Sequence, residues 1–262
     1  MAYNQYAATP PPGTTGRTRV QVAYPSNLIP ENFGKNLREL AKDEASSDFT
    51  IVCKGNGREY KVHKLVVNLS SSYFTPVFNK QFREGQTGHI DLKDDWDEAI
   101  EIMVHYFYNL HYTLPDWADT AENDRGIGRL KAHAFVWATA DKYQVPSLKF
   151  RAAEYFEDVA TNARNMYVLN PQLQQATQPG HQTISAYVVS QPHIFDLLDA
   201  IDFIYEHSFR DLQQSVVKVW NSLHPHVKQA IPNESMLELI QKYPQLGVDL
   251  ATTSTKYGPM FT

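Results

Sequence analysis

The sequence is poor in several features that would each point to a particular class of protein. It contains a single cysteine, Cys53, so no disulfide can form within the chain, as expected in a reducing compartment. No apolar run is long enough to predict a membrane span, and the start does not resemble a secretory signal. Lys and Arg number 24 against 29 Asp and Glu, a balance that argues against direct nucleic-acid binding. A cytoplasmic or nuclear protein is therefore expected.

Motifs for catalysis are also missing from the sequence. It has no glycine-rich phosphate loop, no His-Glu-x-x-His and no paired cysteines. His224-Pro225-His226 has no acidic third ligand nearby in sequence, and Ser70-Ser71-Ser72 lacks the Gly-x-Ser-x-Gly context of a nucleophile. Cys53 lies within a strand pattern, where apolar surroundings make a thiol inert. We therefore expect no catalytic, cofactor or metal site, and a function based on binding.

The most informative stretch of the sequence runs from Ser47 to Glu84. Apolar residues alternate across Phe49–Cys53, which is the period of a half-buried strand, and Gly55-Asn56-Gly57 suits a tight turn. A β-hairpin is therefore predicted. Beyond it, Ser70 or Ser71 is expected to cap a second short helix, whose apolar positions are Tyr73, Phe74, Val77 and Phe78.

The same stretch resembles the BTB/POZ domain, whose signature runs aspartate-hydrophobic, histidine, a hydrophobic run, serine, tyrosine-phenylalanine and hydrophobic-phenylalanine. Its core positions in this sequence are Asp48, Phe49, His63, Tyr73, Phe74 and Phe78. The resemblance implies an α+β fold, in which a three-stranded sheet is capped by a cluster of helices. It also implies that His63 is a core residue whose ring forms hydrogen bonds at a strand-to-helix junction. A turn at Gly85–Gly88 and a strand at His89–Leu92 would complete the sheet.

Two helices are predicted on either side of this stretch. Between Phe33 and Asp43, the residues Phe33, Leu37 and Leu40 share one face. In many BTB domains the equivalent helix packs against a second copy, so the resemblance makes these three residues candidates for a homodimer interface; the alternative is that they cover their own domain. A second helix is predicted from about Trp96 to Asn109. Asp95 and Glu98 are expected to form its capping box.

Further along, Ala140–Leu148 resembles the Ala-Asp-Lys-Tyr-x-hydrophobic-Pro-x-Leu stretch found near the end of BTB domains, particularly fungal ones. Three amphipathic helices follow, which bury their apolar faces either against each other or against the BTB helices. Together they loosely resemble a shortened BACK region, a small all-helical C-terminal part. The predicted organisation is a disordered tail at 1–30, a BTB domain at 31–160, a linker or insertion at 161–192, the C-terminal helices at 193–250 and a tail at 251–262.

The tail contains Pro10-Pro11-Pro12-Gly13. Its low content of periodic apolar residues favours a solvated segment, and the alternative is a proline-rich ligand for a partner's groove.

The segment most informative about partners is Phe82-Arg83-Glu84, which is predicted to close the second short helix. In BTB adaptors of cullin-type ubiquitin ligases, a hydrophobic-x-Glu triplet at this place contacts the cullin, and Phe82 and Glu84 match it. The alternative is a helix end with one aromatic tucked back and a solvated glutamate. The resemblance thus implies a self-associating adaptor that links a cullin-type ligase to a substrate. A structural scaffold subunit, or a transcriptional regulator acting through a partner, are the alternatives.

Overall fold

The computed structural model of the chain describes residues 32–93, 95–115, 127–162, 167–169 and 187–257. The predicted disordered tail lies outside the described residues.

Three strands form the sheet that the sequence predicted. They are β1 (Phe49–Cys53), β2 (Glu59–Val62) and β3 (His89–Leu92), in the order β2-β1-β3. Strands β1 and β2 are antiparallel and joined by a tight turn, in which Gly57 has a φ of 70° that favours glycine. Strand β3 runs parallel to β1, because the chain crosses over through helices before it returns. The buried face of β1 carries Phe49, Ile51 and Cys53.

Helices pack around this sheet and supply most of the core. Helix α5 is central, since α1, α2 and α6 all pack against it. Its inward face buries Ile100, Met103 and Phe107 almost completely. The α-helices described in this half of the chain are α1 (Phe33–Leu40), α2 (Lys64–Ser70), α3 (Phe74–Val77), α4 (Arg83–Thr87), α5 (Asp97–Asn109), α6 (Arg129–Lys142) and α7 (Pro146–Thr161).

In the residues that the structure describes, five more helices follow α7, where the sequence predicted three. Helix α8 packs against α6 and α9 packs against α7, so the apolar faces of the C-terminal helices are buried against the BTB-like helices as well as against one another. Both halves share one continuous hydrophobic core. The five helices are α8 (Gln191–Glu206), α9 (Arg210–Ser222), α10 (Pro225–Ala230), α11 (Asn233–Lys242) and α12 (Pro244–Tyr257).

Two segments outside the predicted domains contain regular structure. The segment predicted as a linker or insertion contains strands β4 (Tyr167–Leu169) and β5 (Tyr187–Val189), which pair in antiparallel fashion. Helix α12 continues to Tyr257, so residues 251–257, which were predicted as part of a tail, are helical.

The capping predictions were wrong. The N-cap residue of helix α5 is Trp96 rather than Asp95, and the Asp95 carboxylate instead accepts a hydrogen bond from the Tyr143 hydroxyl. Neither Ser70 nor Ser71 caps α3, which is only one turn long; the Ser71 hydroxyl donates to the backbone carbonyl of Tyr143 at 2.6 Å. In both cases the side chain that was predicted to cap a helix forms a hydrogen bond with a buried polar group of Tyr143, which is distant in sequence.

The predicted turn at Gly85–Gly88 is also different in the structure. Most of it belongs to helix α4, which ends at Gly88 in the left-handed conformation, with a φ of 72°. Phe82-Arg83-Glu84 therefore does not close the preceding helix. Phe82 precedes α4, and Arg83 and Glu84 form its first turn.

Candidate protein-binding surfaces

His63 lies at the junction between β2 and α2, and both of its ring nitrogens are engaged. Nδ1 is 2.9 Å from the Tyr108 hydroxyl, which also accepts a 2.9 Å hydrogen bond from the His63 backbone N–H. Nε2 is 2.9 Å from the Ser46 hydroxyl, which in turn donates to the Asp43 carboxylate at 2.7 Å. The ring is buried. This network fixes the junction and leaves the imidazole no nitrogen for acid–base chemistry on a substrate.

Asp48 also stabilises the junction between β2 and α2, through the first turn of α2. Its Oδ1 accepts a 2.7 Å hydrogen bond from the backbone N–H of Lys64, the first residue of α2. The residue itself is exposed. Asp48 therefore caps α2 from the residue just before β1, rather than packing in the core as the other signature residues do.

The remaining signature residues come together in an aromatic cluster. Phe74 is fully buried at its centre, with its ring 5.2 Å from Tyr73 and 6.0 Å from Phe78, between ring centroids. Phe78 in turn meets the Phe49 ring edge-on at 4.8 Å. Because these four rings join β1 to α3, they position the segment that follows α3 in the chain.

The candidate cullin-contact residues lie on that segment. Phe82 is 51% exposed, although its backbone N–H is held by the carbonyl of Asn79 at 3.0 Å. Gly85 is buried, and a Cβ there would lie 2.1 Å from the same carbonyl oxygen. Glu84 is half-buried in the first turn of α4. The Phe82 ring is thus not tucked back into the core. It projects from a backbone that is tightly fixed by Asn79 and Gly85.

The candidate dimer residues on α1 are only partly covered. Phe33 is 47% exposed, while Leu37 and Leu40 are half-buried against the core. Helix α1 packs on α5, yet none of its own residues is buried. The predicted stripe therefore both covers its own domain and leaves an apolar edge exposed.

A second exposed apolar pair lies on α2 and was not predicted as a surface. Leu65 and Leu69 are 73% and 78% exposed, one helical turn apart on the same face. Val66 and Val67 between them point inward and are buried. The sequence carried a signal for this, because a seven-residue helix with four apolar residues cannot bury all of them on one side. Leu65 belongs to the hydrophobic run of the signature, Leu65-Val66-Val67, and Leu69 lies outside that run.

The thiol and the most deeply buried imidazole are held in unreactive states. Burial raises the pKa of the Cys53 thiol, whose sulfur donates a hydrogen bond to Asp97 Oδ1 at 3.1 Å. Burial lowers the pKa of His133 to about 3, and its Nδ1 is 2.8 Å from the Tyr112 hydroxyl. Among the residues that the structure describes, no three His, Cys, Asp or Glu side chains are grouped to hold a metal ion. None of the helices in the described ranges is long and apolar enough to cross a membrane.

Comparison with known proteins relates this chain to BTB-containing relatives. Kelch-like protein 40 of Xenopus tropicalis is 28% identical over 114 residues, which cover 43% of this chain and 16% of that protein. Kelch repeat and BTB domain-containing protein 4 of Mus musculus is 27% identical over 112 residues, 43% of this chain and 18% of the relative. Kelch-like ECH-associated protein 1A of Danio rerio is 29% identical over 82 residues, 30% and 14% respectively. The chain thus matches less than a fifth of the length of these relatives.

Among solved structures, the BTB (Tramtrack and Bric a brac) domain of human gigaxonin aligns with 58% of this chain and 99% of its own, at 19% identity and a TM-score of 0.36. The family model described as BTB/POZ domain matches residues 37–159. This range spans α1 to α7, including the three-stranded sheet, the His63 junction and the aromatic cluster. Residues 37–159 therefore form a BTB/POZ domain.

Proposed function

We propose that this protein is a non-enzymatic, self-associating adaptor whose Phe82-x-Glu84 segment contacts a cullin-type scaffold. The observation that carries the proposal is the Phe82 ring, which is 51% exposed while its backbone is fixed through Asn79. An aromatic ring left in water at a rigid position is typical of an interface anchor.

The geometry of this segment favours binding in three ways. Full burial of an apolar side chain contributes roughly 1.5–3 kcal/mol, and about half of the Phe82 surface is available for that gain. The contacts of Asn79 and Gly85 order the backbone before any partner arrives, which lowers the entropic cost of association. Glu84, two residues on, supplies a carboxylate that fixes the register of the partner.

Self-association is supported by the exposed apolar side chains of α1 and α2. Phe33, Leu65 and Leu69 are each about half exposed or more, and both helices pack against the same central helix, α5. A two-fold dimer places the same patch of both copies in contact, so a modest apolar patch is buried twice. We infer that this patch, defined here as Phe33, Leu65 and Leu69, is the dimer surface.

The C-terminal helices provide the adaptor with its second binding region, the one for the substrate. Because α8 and α9 share a core with α6 and α7, a substrate bound to the C-terminal region would be held in a fixed orientation to the BTB domain. Such rigidity suits an adaptor, in which two bound proteins must meet at a defined distance.

A scaffold subunit is the second candidate function, and two exposed rings favour it. Phe150 on α7 and Phe195 on α8 are 64% and 55% exposed, and neither belongs to the surfaces above. Further contacts there would build a larger assembly. Affinity purification from native cells separates the two functions: an adaptor recovers a cullin together with other proteins, whereas a scaffold subunit recovers one stoichiometric complex with no cullin.

A further inference from the structure

An aromatic strip crosses the surface where α6 meets α8 and α9. We define it by Phe135, Phe203, His207 and Phe209. Ring centroids of Phe135 and Phe203 are 4.5 Å apart, as are those of Phe203 and His207, and His207 stacks on Phe209 at 5.4 Å with an interplanar angle of 16°. His207 is exposed and the other three are half-buried, so every ring keeps part of its surface in water. No surface discussed above includes these residues.

The strip is rigid. Phe209 packs on Trp137, which is 97% buried, at 5.1 Å between ring centroids. The turn before Phe209 is closed by its N–H, which donates to the carbonyl of Ile204 at 3.2 Å, and by Ser208 in the left-handed conformation, with a φ of 55°. The rings are therefore already in place before a ligand binds.

Negative charge flanks the strip. Asp199 and Glu206 lie four residues before and three residues after Phe203 on α8, and so on the same side of that helix. Both are exposed. Neither forms a salt bridge with any residue in the part of the chain that the structure describes. An elongated aromatic surface with carboxylates beside it matches a proline-rich segment that carries basic residues.

We propose that the strip binds the proline-rich segment of the chain's own N-terminal tail. Pro10-Pro11-Pro12 is the only run of consecutive prolines in the sequence, and Arg17 and Arg19 follow it closely. Prolines in a polyproline II helix stack their rings on aromatic side chains at a small entropic cost, because the helix is already formed. Arg17 and Arg19, five and seven residues after Pro12, carry the positive charge that would pair with Asp199 and Glu206 in this arrangement.

Dimensions permit this contact within one chain. The ring centroids of Phe135 and Phe203 are 4.5 Å apart, and those of Phe203 and Phe209 are 5.7 Å apart. The path along the three rings is thus about 10 Å long, which equals the rise of about three residues of a polyproline II helix. The 20 residues from Pro12 to Asn32 span roughly 66 Å when extended. A folded chain of 262 residues has a radius of gyration of roughly 18 Å, so the extended tail is longer than the folded part is wide and can reach most of its surface.

The test uses the full chain with a benzoylphenylalanine, a photo-crosslinking residue, in place of Thr9. After irradiation and digestion, mass spectrometry locates the adducts. A mixture of isotopically light and heavy protein distinguishes adducts within one chain from adducts between chains. We expect adducts within one chain, on the peptide that contains Phe203 and Phe209.

Three variants in the same background decide the outcome. Replacing all three prolines, P10S/P11S/P12S, is expected to lower the yield of that adduct at least threefold, and Glu206→Lys to lower it at least twofold, more strongly in low salt. The control Glu59→Lys lies on the edge strand β2 and should leave the yield unchanged. All substituted side chains are exposed or in the tail, and thermal melting by circular dichroism verifies the fold. Adducts on another part of the chain, adducts only between chains, or a yield that ignores the proline replacements would each overturn the proposal.

Discussion

The Tyr143 hydroxyl donates a 2.6 Å hydrogen bond to the Asp95 carboxylate, which the ammonium of Lys142 also contacts at 2.9 Å. The Tyr143 ring stacks near that of Phe74, and its backbone carbonyl accepts a hydrogen bond from the Ser71 hydroxyl. One tyrosine therefore joins the end of α6 to the segment before α5 and to the junction of α2 and α3. The Ala-Asp-Lys-Tyr stretch recognised in the sequence is a structural junction.

Tyr143→Phe is expected to destabilise the fold by about 1–3 kcal/mol, because the largely buried Asp95 carboxylate loses a donor. Urea unfolding followed by circular dichroism measures the change. The double variant with Asp95→Ala should cost less than the sum of the two single variants, since both remove the same interaction. Additive losses would show that the two residues act separately.

Asp196 is expected to make stability depend on pH. Its carboxylate accepts hydrogen bonds from the backbone N–H groups of Leu130 and Lys131, at 2.8 Å and 3.2 Å, and so caps α6 from α8. Burial nevertheless raises the pKa of Asp196 to about 6, from an ordinary 3.8. Because the folded protein then holds this proton more tightly than the unfolded chain, the free energy of unfolding falls as the pH rises from about 4 to about 6, by up to about 3 kcal/mol.

Asp196→Asn removes the titrating group while keeping the shape of the side chain. The difference in unfolding free energy between the natural protein and this variant should shift in favour of the variant across that pH range. Denaturant unfolding at several pH values measures it. Equal pH profiles for both proteins would mean that Asp196 titrates as an ordinary surface carboxylate.

Leu65→Glu combined with Leu69→Glu is expected to convert a dimer into a monomer. Both side chains are largely exposed, so the stability of the isolated fold should change by only about 0.5 kcal/mol. Size-exclusion chromatography with light scattering should show the mass fall to 29.9 kDa. Phe150→Glu, at a similarly exposed position on α7, is the control and should leave the dimer intact. An unchanged mass in the double variant would place the self-association surface elsewhere.

Gly85→Ala is expected to disturb the Phe82-x-Glu84 segment without touching either side chain. A Cβ at residue 85 would lie 2.1 Å from the backbone carbonyl of Asn79, which cannot move as freely as a side chain. We expect a loss of about 1–3 kcal/mol in stability, measured by urea unfolding, and weaker cullin binding. Gly57→Ala is the control, because it introduces backbone strain at the hairpin turn, away from this segment. It should lower stability and leave cullin binding unchanged. Full cullin binding by Gly85→Ala would show that the segment need not be rigid.

The sequence was sufficient for the fold of residues 37–159, because strand alternation, helical spacing and the signature residues all agree there. It was insufficient where a side chain has two competing partners. Asp95 could cap α5 or bond Tyr143, and only the three-dimensional arrangement shows that the buried tyrosine hydroxyl takes it. Ser71 presents the same choice.

Surfaces were harder to predict than the core for a related reason. Packing of α2 on α5 buries Val66 and Val67 and leaves Leu65 and Leu69 in water, and which apolar residues of so short a helix face the core depends on its neighbours. Helix α4 could not be predicted from its five residues, since so short a helix is stabilised by its surroundings.

The most direct test of the adaptor function is the affinity of the purified chain for the N-terminal domain of a cullin, measured by biolayer interferometry. The natural protein and the control Phe150→Asp should bind equally, because Phe150 lies outside the proposed contact. Phe82→Asp should lose at least tenfold in affinity, since it places a charge where the proposed contact would bury an aromatic ring. Binding by Phe82→Asp that equals that of the natural protein would contradict the proposed function.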